Sequence, residues 1–154
     1  DVSRIASNLT DSRNLPVAYA LMFTIPGIPA IYYGSEWGFK ARKEDGDPVL
    51  RPCVDKPEWN DLTEWISKLA NAVNTTKALS YGMFDSIVLT NKQCAFLRSC
   101  DDERILVCIN ADENSFYMNF DMGVTSGVDL LSDKTVEFDN GFEAPAYSAY
   151  YLKL

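Results

Sequence analysis

The sequence contains no histidine, and this absence removes several kinds of active site at once. Without imidazole groups the chain has no Ser-His or Cys-His nucleophile pair, no histidine general base and no histidine-ligated zinc. Acid or base chemistry carried by this chain therefore rests on carboxylates, and the sequence holds 22 acidic residues.

Cysteine pairs with the spacing of redox or zinc motifs are also missing. The four cysteines are Cys53, Cys94, Cys100 and Cys108, and no two of them form a CxxC motif. Three lie in or beside strand-like runs, where cysteine often serves as a small apolar residue. We therefore expect four unpaired thiols and no metal site.

Long apolar runs are absent as well. No run reaches the roughly 18 apolar residues of a membrane span, and no signal peptide is visible. The net charge is −8, and an acidic surface repels phosphate groups, so neither nucleic acid nor a membrane is an expected partner. Because the chain starts at Asp1 rather than methionine, we expect its N-terminus to lie upstream. Its location stays open, with the cytoplasm slightly favoured over secretion.

The apolar pattern of the chain changes character near Tyr81 and Gly82. Across 154 residues, 47% are apolar and 12% aromatic, which is the composition of a chain that buries a core. Before Gly82 the apolar spacing is helical or continuous, whereas after it the runs are short and alternate. The sequence thus predicts an α+β chain whose helical part precedes its strands.

Four segments make up the first part. Residues 14–25, "NLPVAYALMFTI", are apolar on nearly every face and predict a buried helix. The aromatic run "AIYYG" predicts a strand covered on both faces. "KARKEDGDPVLRP" predicts a loop without regular structure. "DLTE" at residues 61–64 predicts a capping box and opens an amphipathic helix with the stripe Leu62, Ile66, Leu69 and Val73.

Seven short runs follow Gly82, and they predict an antiparallel sandwich. They are "FDSIVLT", "CAFLRSC", "RILVCIN", "SFYMNF", "GVDLLS", "TVEF" and "SAYYLKL". The segments between them, including "DNGFEAP", are predicted turns, and "DDE" at residues 101–103 is a predicted hairpin tip. No linker separates the two parts, so we expect them to pack directly on each other.

The residues after "AIYYG" are the candidate functional edge. A strand buried on both faces commonly places ligands beyond its C-terminal end, where this chain offers Glu36, Trp37, Asp45, Asp47 and Arg51. Carboxylates, an arginine and aromatic rings suit a sugar site. An ordinary acidic surface loop beside a tryptophan has the same composition.

Three segments resemble the alpha-amylase family, glycoside hydrolase family 13. They are "DVSRIASNL", "LPVAYALMFTIPGIPAIYYGSEWG" and "DGDPVLRP", followed by a helix and short strands in the same order. The resemblance implies that residues 1–80 are the last βα elements of a TIM barrel and that residues 81–154 are the all-β domain C. It implies a fragment of a retaining alpha-glucan hydrolase or transglycosylase, with alpha-linked glucose oligosaccharides or polysaccharides as partners.

The resemblance also implies roles for five residues. Asp1 matches the third catalytic carboxylate of the family, and "DPVLR" places Asp47 and Arg51 in a substrate-binding loop. An Asp-Arg pair four residues apart is alternatively a structural salt bridge. Arg4 is expected to pair with a carboxylate at the barrel rim, and Glu36 is expected to tie the strand end to neighbouring loops.

The nucleophile and the acid/base residue of the family come from barrel strands that this chain lacks, so the chain alone is predicted to be inactive. It is predicted to bind no cofactor, although the resemblance allows calcium in the intact enzyme. The open barrel remnant predicts self-association.

Two alternatives remain from the sequence. One is a non-catalytic carbohydrate-binding or accessory module that stacks sugars on Phe116, Tyr117, Tyr147, Tyr150 and Tyr151. The other is an amylase-like protein that has lost catalysis.

Overall fold

Helices occupy the first half of the chain and strands the second, with the change at Gly82. The computed structural model describes residues 2–154, so Asp1 lies outside the described residues. The helices are α1 (Ile5–Asn8), α2 (Asn14–Thr24), α3 (Asp47–Leu50), α4 (Asp61–Thr75) and α5 (Lys77–Tyr81). The strands are β1 (Met83–Leu89), β2 (Gln93–Cys100), β3 (Glu103–Asn110), β4 (Phe116–Asn119), β5 (Ser126–Asp129), β6 (Lys134–Glu137), β7 (Gly141–Ala144) and β8 (Ser148–Lys153).

The two long helices agree with their apolar patterns. α2 buries residues on several faces and ends just before Pro26, which cannot continue a helix. α4 buries Ile66, Leu69 and Val73 of its predicted stripe. Its predicted cap is wrong, because the amide of Asn60 accepts the backbone N–H of Thr63 at 3.0 Å and so begins the helix one residue earlier.

The strand predicted at "AIYYG" does not form. Residues 28–32 have no regular structure, and Ile28 is 95% exposed. A strand needs hydrogen-bonded neighbours on its edges, and no strand of residues 2–154 lies beside this segment. Within the predicted loop, two short helices form, a one-turn 3-10 helix (Lys43–Asp45) and α3. Pro48 lies in the first turn of α3, a position to which proline is suited.

The strands form an antiparallel sheet in the order β1-β2-β3-β8-β5-β6 and a separate two-stranded ribbon of β4 and β7. The predicted antiparallel arrangement is confirmed, and Asp101, with a φ of 53°, lies at the predicted β2–β3 hairpin tip. The segment that forms β7 lies within "DNGFEAP", which was predicted as a turn. This strand has only four residues and begins with a glycine, so its sequence resembles that of a turn.

Strand β3 is buried on both faces and lies at the centre of three layers. Ile105, Val107 and Ile109 pack in the core that contains α2 and α4. Leu106 and Cys108 alternate with them and pack against residues of the β4–β7 ribbon. The helical part and the large sheet therefore share one core, while the domain division at residues 80 and 81 stays a prediction.

All four cysteines are unpaired, as predicted. Cys108 is fully buried between the large sheet and the ribbon, and burial raises the pKa of its thiol to about 12. It therefore acts as a small apolar residue. Among the helices of residues 2–154, none has the length and apolar character that a membrane crossing requires.

Candidate functional site

Arg4 joins the three segments that surround the predicted strand end. Its guanidinium donates to the carbonyl of Leu50 from both Nε, at 3.2 Å, and Nη2, at 2.7 Å. Nη1 donates to the carbonyl of Tyr33 at 2.7 Å and to Ser35 Oγ at 3.1 Å. One side chain, only 6% exposed, thus holds the chain start, the end of "AIYYG" and the end of α3 together.

The hydrogen-bond acceptors of Arg4 differ from the prediction. Among residues 2–154 they are two carbonyls and a hydroxyl, whereas a carboxylate was predicted. Leu50 is the last residue of α3, and its carbonyl has no partner within that short helix, so a guanidinium can satisfy it. The guanidinium carbon also lies 4.6 Å from the ring centre of Tyr32, a distance typical of a cation–π contact.

Asp47 and Arg51 lie at the two ends of α3. Arg51 Nη1 is 3.7 Å from Asp47 Oδ2, and the two side chains are 45% and 64% exposed, respectively. An exposed ion pair at this distance contributes little stability. The pair fits either of the roles that the sequence left open, a structural bridge or a ligand-binding pair.

A cleft of about 630 Å³ lies beside Arg4 and Arg51. Its polar lining also includes Asn8, Tyr19 and Ser35, and apolar side chains such as Met22 and Ile31 line the rest. This volume is within the range of small-ligand sites, and an apolar wall with a few polar groups is their usual composition. We call this space the rim cleft.

Glu36 lies in a one-turn 3-10 helix (Ser35–Trp37) next to the rim cleft. The backbone carbonyl of Glu36 accepts the hydroxyl of Thr63 at 3.0 Å, and Asn60 Nδ2 donates to the carbonyl of Trp37 at 3.2 Å. The turn is thereby fixed to the start of α4. Glu36 Oε2 is buried and has no hydrogen-bond partner among residues 2–154, whereas a buried carboxylate oxygen normally accepts a hydrogen bond.

Tyr19 and Gly34 complete the site. Gly34 lies at the edge that the sequence indicated, whereas Tyr19 was not predicted to belong to it. Tyr19 donates its hydroxyl to the carbonyl of Ser35 at 3.2 Å, and burial raises the pKa of this phenol. Gly34 has a φ of 82°, and a Cβ there would lie 2.5 Å from the Phe39 ring. The only sequence signal was a tyrosine within an otherwise apolar helix and a glycine directly after the aromatic run.

The five aromatic residues of the alternative module do not share one surface. Tyr151 is fully buried and donates its hydroxyl to the carbonyl of Ala20 at 2.6 Å. Phe116 and Tyr150 pack against the core between the sheet and the ribbon, whereas Tyr147 packs against the other core. Tyr117 alone is strongly exposed. The predicted stacking surface is therefore wrong, because strand alternation directs these side chains to different layers.

No cluster of three or more carboxylate or thiol side chains within residues 2–154 has the geometry to hold a metal ion. The rim cleft is lined by the guanidinium groups of Arg4 and Arg51, by hydroxyl and amide groups, and by the rings of Tyr19 and Tyr32.

No protein-family model matches the chain. Curated relatives do match it: a cyclomaltodextrinase from a Bacillus species is 32% identical over 124 residues, which are 76% of this chain and 21% of the relative. A cyclomaltodextrinase from Thermoanaerobacter pseudethanolicus is 29% identical over 90% of this chain and 24% of the relative. The chain thus spans between a fifth and a quarter of these two relatives.

Solved structures share the fold. An Anoxybacillus alpha-amylase superimposes with a TM-score of 0.83 at 19% identity, over 99% of this chain and 36% of that chain. The Geobacillus thermoleovorans alpha-amylase complexed with acarbose also gives 0.83, at 20% identity and the same coverage. The arrangement of helices, sheet and ribbon is therefore the one found in alpha-amylases.

Proposed function

Because the chain matches the C-terminal part of alpha-amylase family enzymes in both sequence and fold, we propose that it is a piece of a retaining alpha-glucan hydrolase or transglycosylase. In this proposal the chain supplies the barrel end, one substrate-binding loop and domain C. The intact enzyme acts on starch, maltodextrin or related alpha-glucosides.

The observation that carries this proposal is the contact set of Arg4. Its guanidinium links the "DVSR" segment to the end of "AIYYG" and to the "DPVLR" loop. These are the segments on which the family resemblance rests, and they are distant in sequence. Their meeting at one buried cation beside the rim cleft supports a shared site on this edge of the fold.

The roles proposed for individual residues in the intact enzyme come from the family resemblance. Asp1 is the third catalytic carboxylate, which hydrogen-bonds the hydroxyls of the sugar being cleaved and gains strength as the oxocarbenium-like charge develops. Asp47 and Arg51 bind glucose units on the non-reducing side of the cut. Arg4 positions their loop, and the carboxylate of Glu36 receives a donor from a neighbouring barrel segment.

The chain alone is proposed to be inactive. A retaining glycosidase needs a nucleophilic carboxylate and an acid/base carboxylate on opposite sides of the scissile bond. In the family these two groups stand on the fourth and fifth barrel strands, and neither segment has a counterpart in this sequence.

A chimaera tests the proposal. The matching segment of the Bacillus cyclomaltodextrinase is replaced with residues 1–154, and hydrolysis of maltoheptaose and of a cyclomaltodextrin is measured. We expect turnover from the chimaera and none from the 154-residue chain. Asp1→Asn is expected to lower kcat at least about a hundredfold, because it removes an interaction strengthened in the transition state.

The loop residues have a different expected signature. Arg51→Ala and Asp47→Ala are expected to raise KM about tenfold with a smaller change in kcat, since they bind sugar in the ground state as well. Lys56→Ala, at an exposed position five residues after Arg51, is the matched control. A folded chimaera whose Asp1→Asn variant keeps full kcat would contradict the catalytic assignment.

A further inference from the structure

A second cleft, of about 740 Å³, lies where the start of α2 meets the β1–β2 hairpin. We call it the junction cleft, and among residues 2–154 it shares only Asn8 with the rim cleft. Neither Asp47 nor Arg51, the two residues proposed for substrate binding, lines it. Its apolar surface is formed by the side chains of Leu9, Val17, Ala18, Leu21, Ile109 and Ala111.

The charged side chains around the junction cleft are largely paired with one another. Arg13 Nη2 is 2.7 Å from Asp11 Oδ2, and Lys92 Nζ is 2.6 Å from Asp112 Oδ2. Hydrogen bonds from Arg13 lower the pKa of Asp11, so this carboxylate stays charged and engaged. These charges neutralise each other, and the remaining carboxylate, Glu113, disfavours an anionic ligand.

Neutral side chains, by contrast, are available. Asn8, Thr10, Asn14 and Asn91 line the junction cleft. Their side chains make no hydrogen bond to any of residues 2–154, and Asn14 Oδ1 is buried without a partner. Three amides and a hydroxyl around an apolar surface form a site with unused donors and acceptors but no unused positive charge.

Tyr147 gives the junction cleft an aromatic wall. Its hydroxyl donates to Asp11 Oδ2 at 2.8 Å, and the Arg13 guanidinium carbon lies 4.3 Å from its ring centre. The φ of Tyr147 is 49°, a left-handed conformation that is uncommon for a bulky residue. Such conformations persist where surrounding contacts enforce them, often at binding sites. The Asp11 and Arg13 contacts hold the ring in this position.

We propose that the junction cleft binds a neutral oligosaccharide of alpha-linked glucose, separately from the rim cleft. A sugar presents apolar C–H faces to the aliphatic and aromatic surfaces and hydroxyl groups to the amides. The preference for a neutral polyhydroxylated ligand rests on the side chains described above. The choice of an alpha-linked glucan rests on the proposed function.

An NMR titration of the 154-residue chain with maltotriose tests this inference, with inorganic sulfate as the charged probe. Maltotriose is expected to shift the amide signals of residues 8–14 and 89–93, and sulfate is expected to leave them unchanged. The double variant Thr10→Ala, Asn91→Ala removes two hydrogen bonds and is expected to weaken maltotriose binding about tenfold. Asn74→Ala, on the exposed face of α4, is the matched control.

Three results would overturn the inference. They are maltotriose shifts confined to the rim cleft, sulfate shifts in the junction cleft without maltotriose shifts, and unchanged maltotriose affinity in a folded double variant. A failure of the proposed function looks different, because the chimaera would then be inactive while maltotriose still shifted the junction-cleft signals.

Discussion

The guanidinium of Arg98 in strand β2 donates from Nη1 to the carbonyl of Thr24, the last residue of α2. Nη2 donates to the carbonyl of Gly82 at 3.0 Å and Nε to that of Met83 at 3.2 Å. Arg98 is 1% exposed, and burial lowers its pKa. A positive charge at the carbonyl end of a helix is stabilised by the helix dipole. Through its hydrogen bond to Thr24, Arg98 links the sheet to the helical part of the molecule.

Replacement of Arg98 by methionine is therefore expected to destabilise the chain. The substitution keeps most of the side-chain volume but leaves three carbonyls without their donors, at a combined cost of about 3 kcal/mol in the free energy of unfolding. Urea unfolding followed by circular dichroism measures this value. Arg42→Met, at an exposed position, is the control and is expected to change it by less than about 0.5 kcal/mol. Equal stabilities of the two variants would show that Arg98 does not link the two parts.

The elements that the sequence predicted well are those whose signal lies within the element itself. The stripe of α4 is a periodic pattern that matches the burial of Leu69, and the continuous apolar run of β3 matches the burial of this strand on both faces. The "AIYYG" segment carries the composition of a strand, but a strand also depends on neighbours supplied by other segments. Its prediction was wrong because no strand among residues 2–154 pairs with it.

The site was predictable to a similar extent. The four-residue spacing of Asp47 and Arg51 agrees with their contact across α3, while their role in substrate binding stays a prediction. The carbonyl acceptors of Arg4 could not, because every residue has a carbonyl and sequence does not indicate which are left unpaired. The Asn60 cap was missed for a related reason, since Asp61 and Asn60 both suit a cap and only geometry decides between them.

Loss of the Arg4 guanidinium is expected to release the loop that contains α3. Arg4→Ala removes both hydrogen bonds to the carbonyl of Leu50, which fix the end of this loop. Cleavage by trypsin at Lys40, Arg42 and Lys43 is expected to become about tenfold faster, because opening of the loop costs about 1.4 kcal/mol less. Mass spectrometry of the early fragments measures the rate at each site.

The controls separate a lost charge from lost geometry at Arg4. Arg13→Ala, on the exposed surface near Tyr147, is expected to leave loop cleavage unchanged. Arg4→Lys keeps the charge but cannot make the forked contact to one carbonyl, so an intermediate rate is expected. A lysine variant that resists trypsin as well as the parent chain does would show that charge alone fixes the loop.

Ile28 is the most exposed large apolar side chain of residues 25–33, the segment that follows α2, at 95%. Ile25 and Tyr32 on the same segment are 44% and 53% exposed. Because an unpaired apolar segment favours pairing with another copy, the chain is expected to self-associate as its concentration rises. Ile28→Glu is expected to reduce this association, which sedimentation velocity over a concentration series measures. Leu89→Glu, at an exposed position in β1, is the matched control. Equal effects of both variants would argue against residues 25–33 as the contact.

Glu103 connects α5 to the sheet through a carboxylate. Its Oε2 accepts the backbone N–H of Ala78 at 2.9 Å, and Lys153 Nζ lies 3.2 Å from Oε1. The hydrogen bond from Ala78 is the main reason why the pKa of Glu103 lies below its usual value of 4.5. A lowered folded-state pKa means that the carboxylate stabilises the fold fully above pH 4.5, and this contribution is lost as pH falls through the folded-state pKa.

Glu103→Gln should therefore flatten the pH dependence of stability. Glutamine keeps an acceptor for Ala78 but has no charge, so the free energy of unfolding at pH 7 is expected to fall by about 1 kcal/mol. As pH falls through the folded-state pKa of Glu103, the variant and the parent chain are expected to converge, because the parent carboxylate then becomes protonated. Urea unfolding at a series of pH values from 7 downwards measures the difference. Glu58→Gln, at an exposed position, serves as the control, and a parent-to-variant difference that stays constant with pH would argue against the carboxylate as its source.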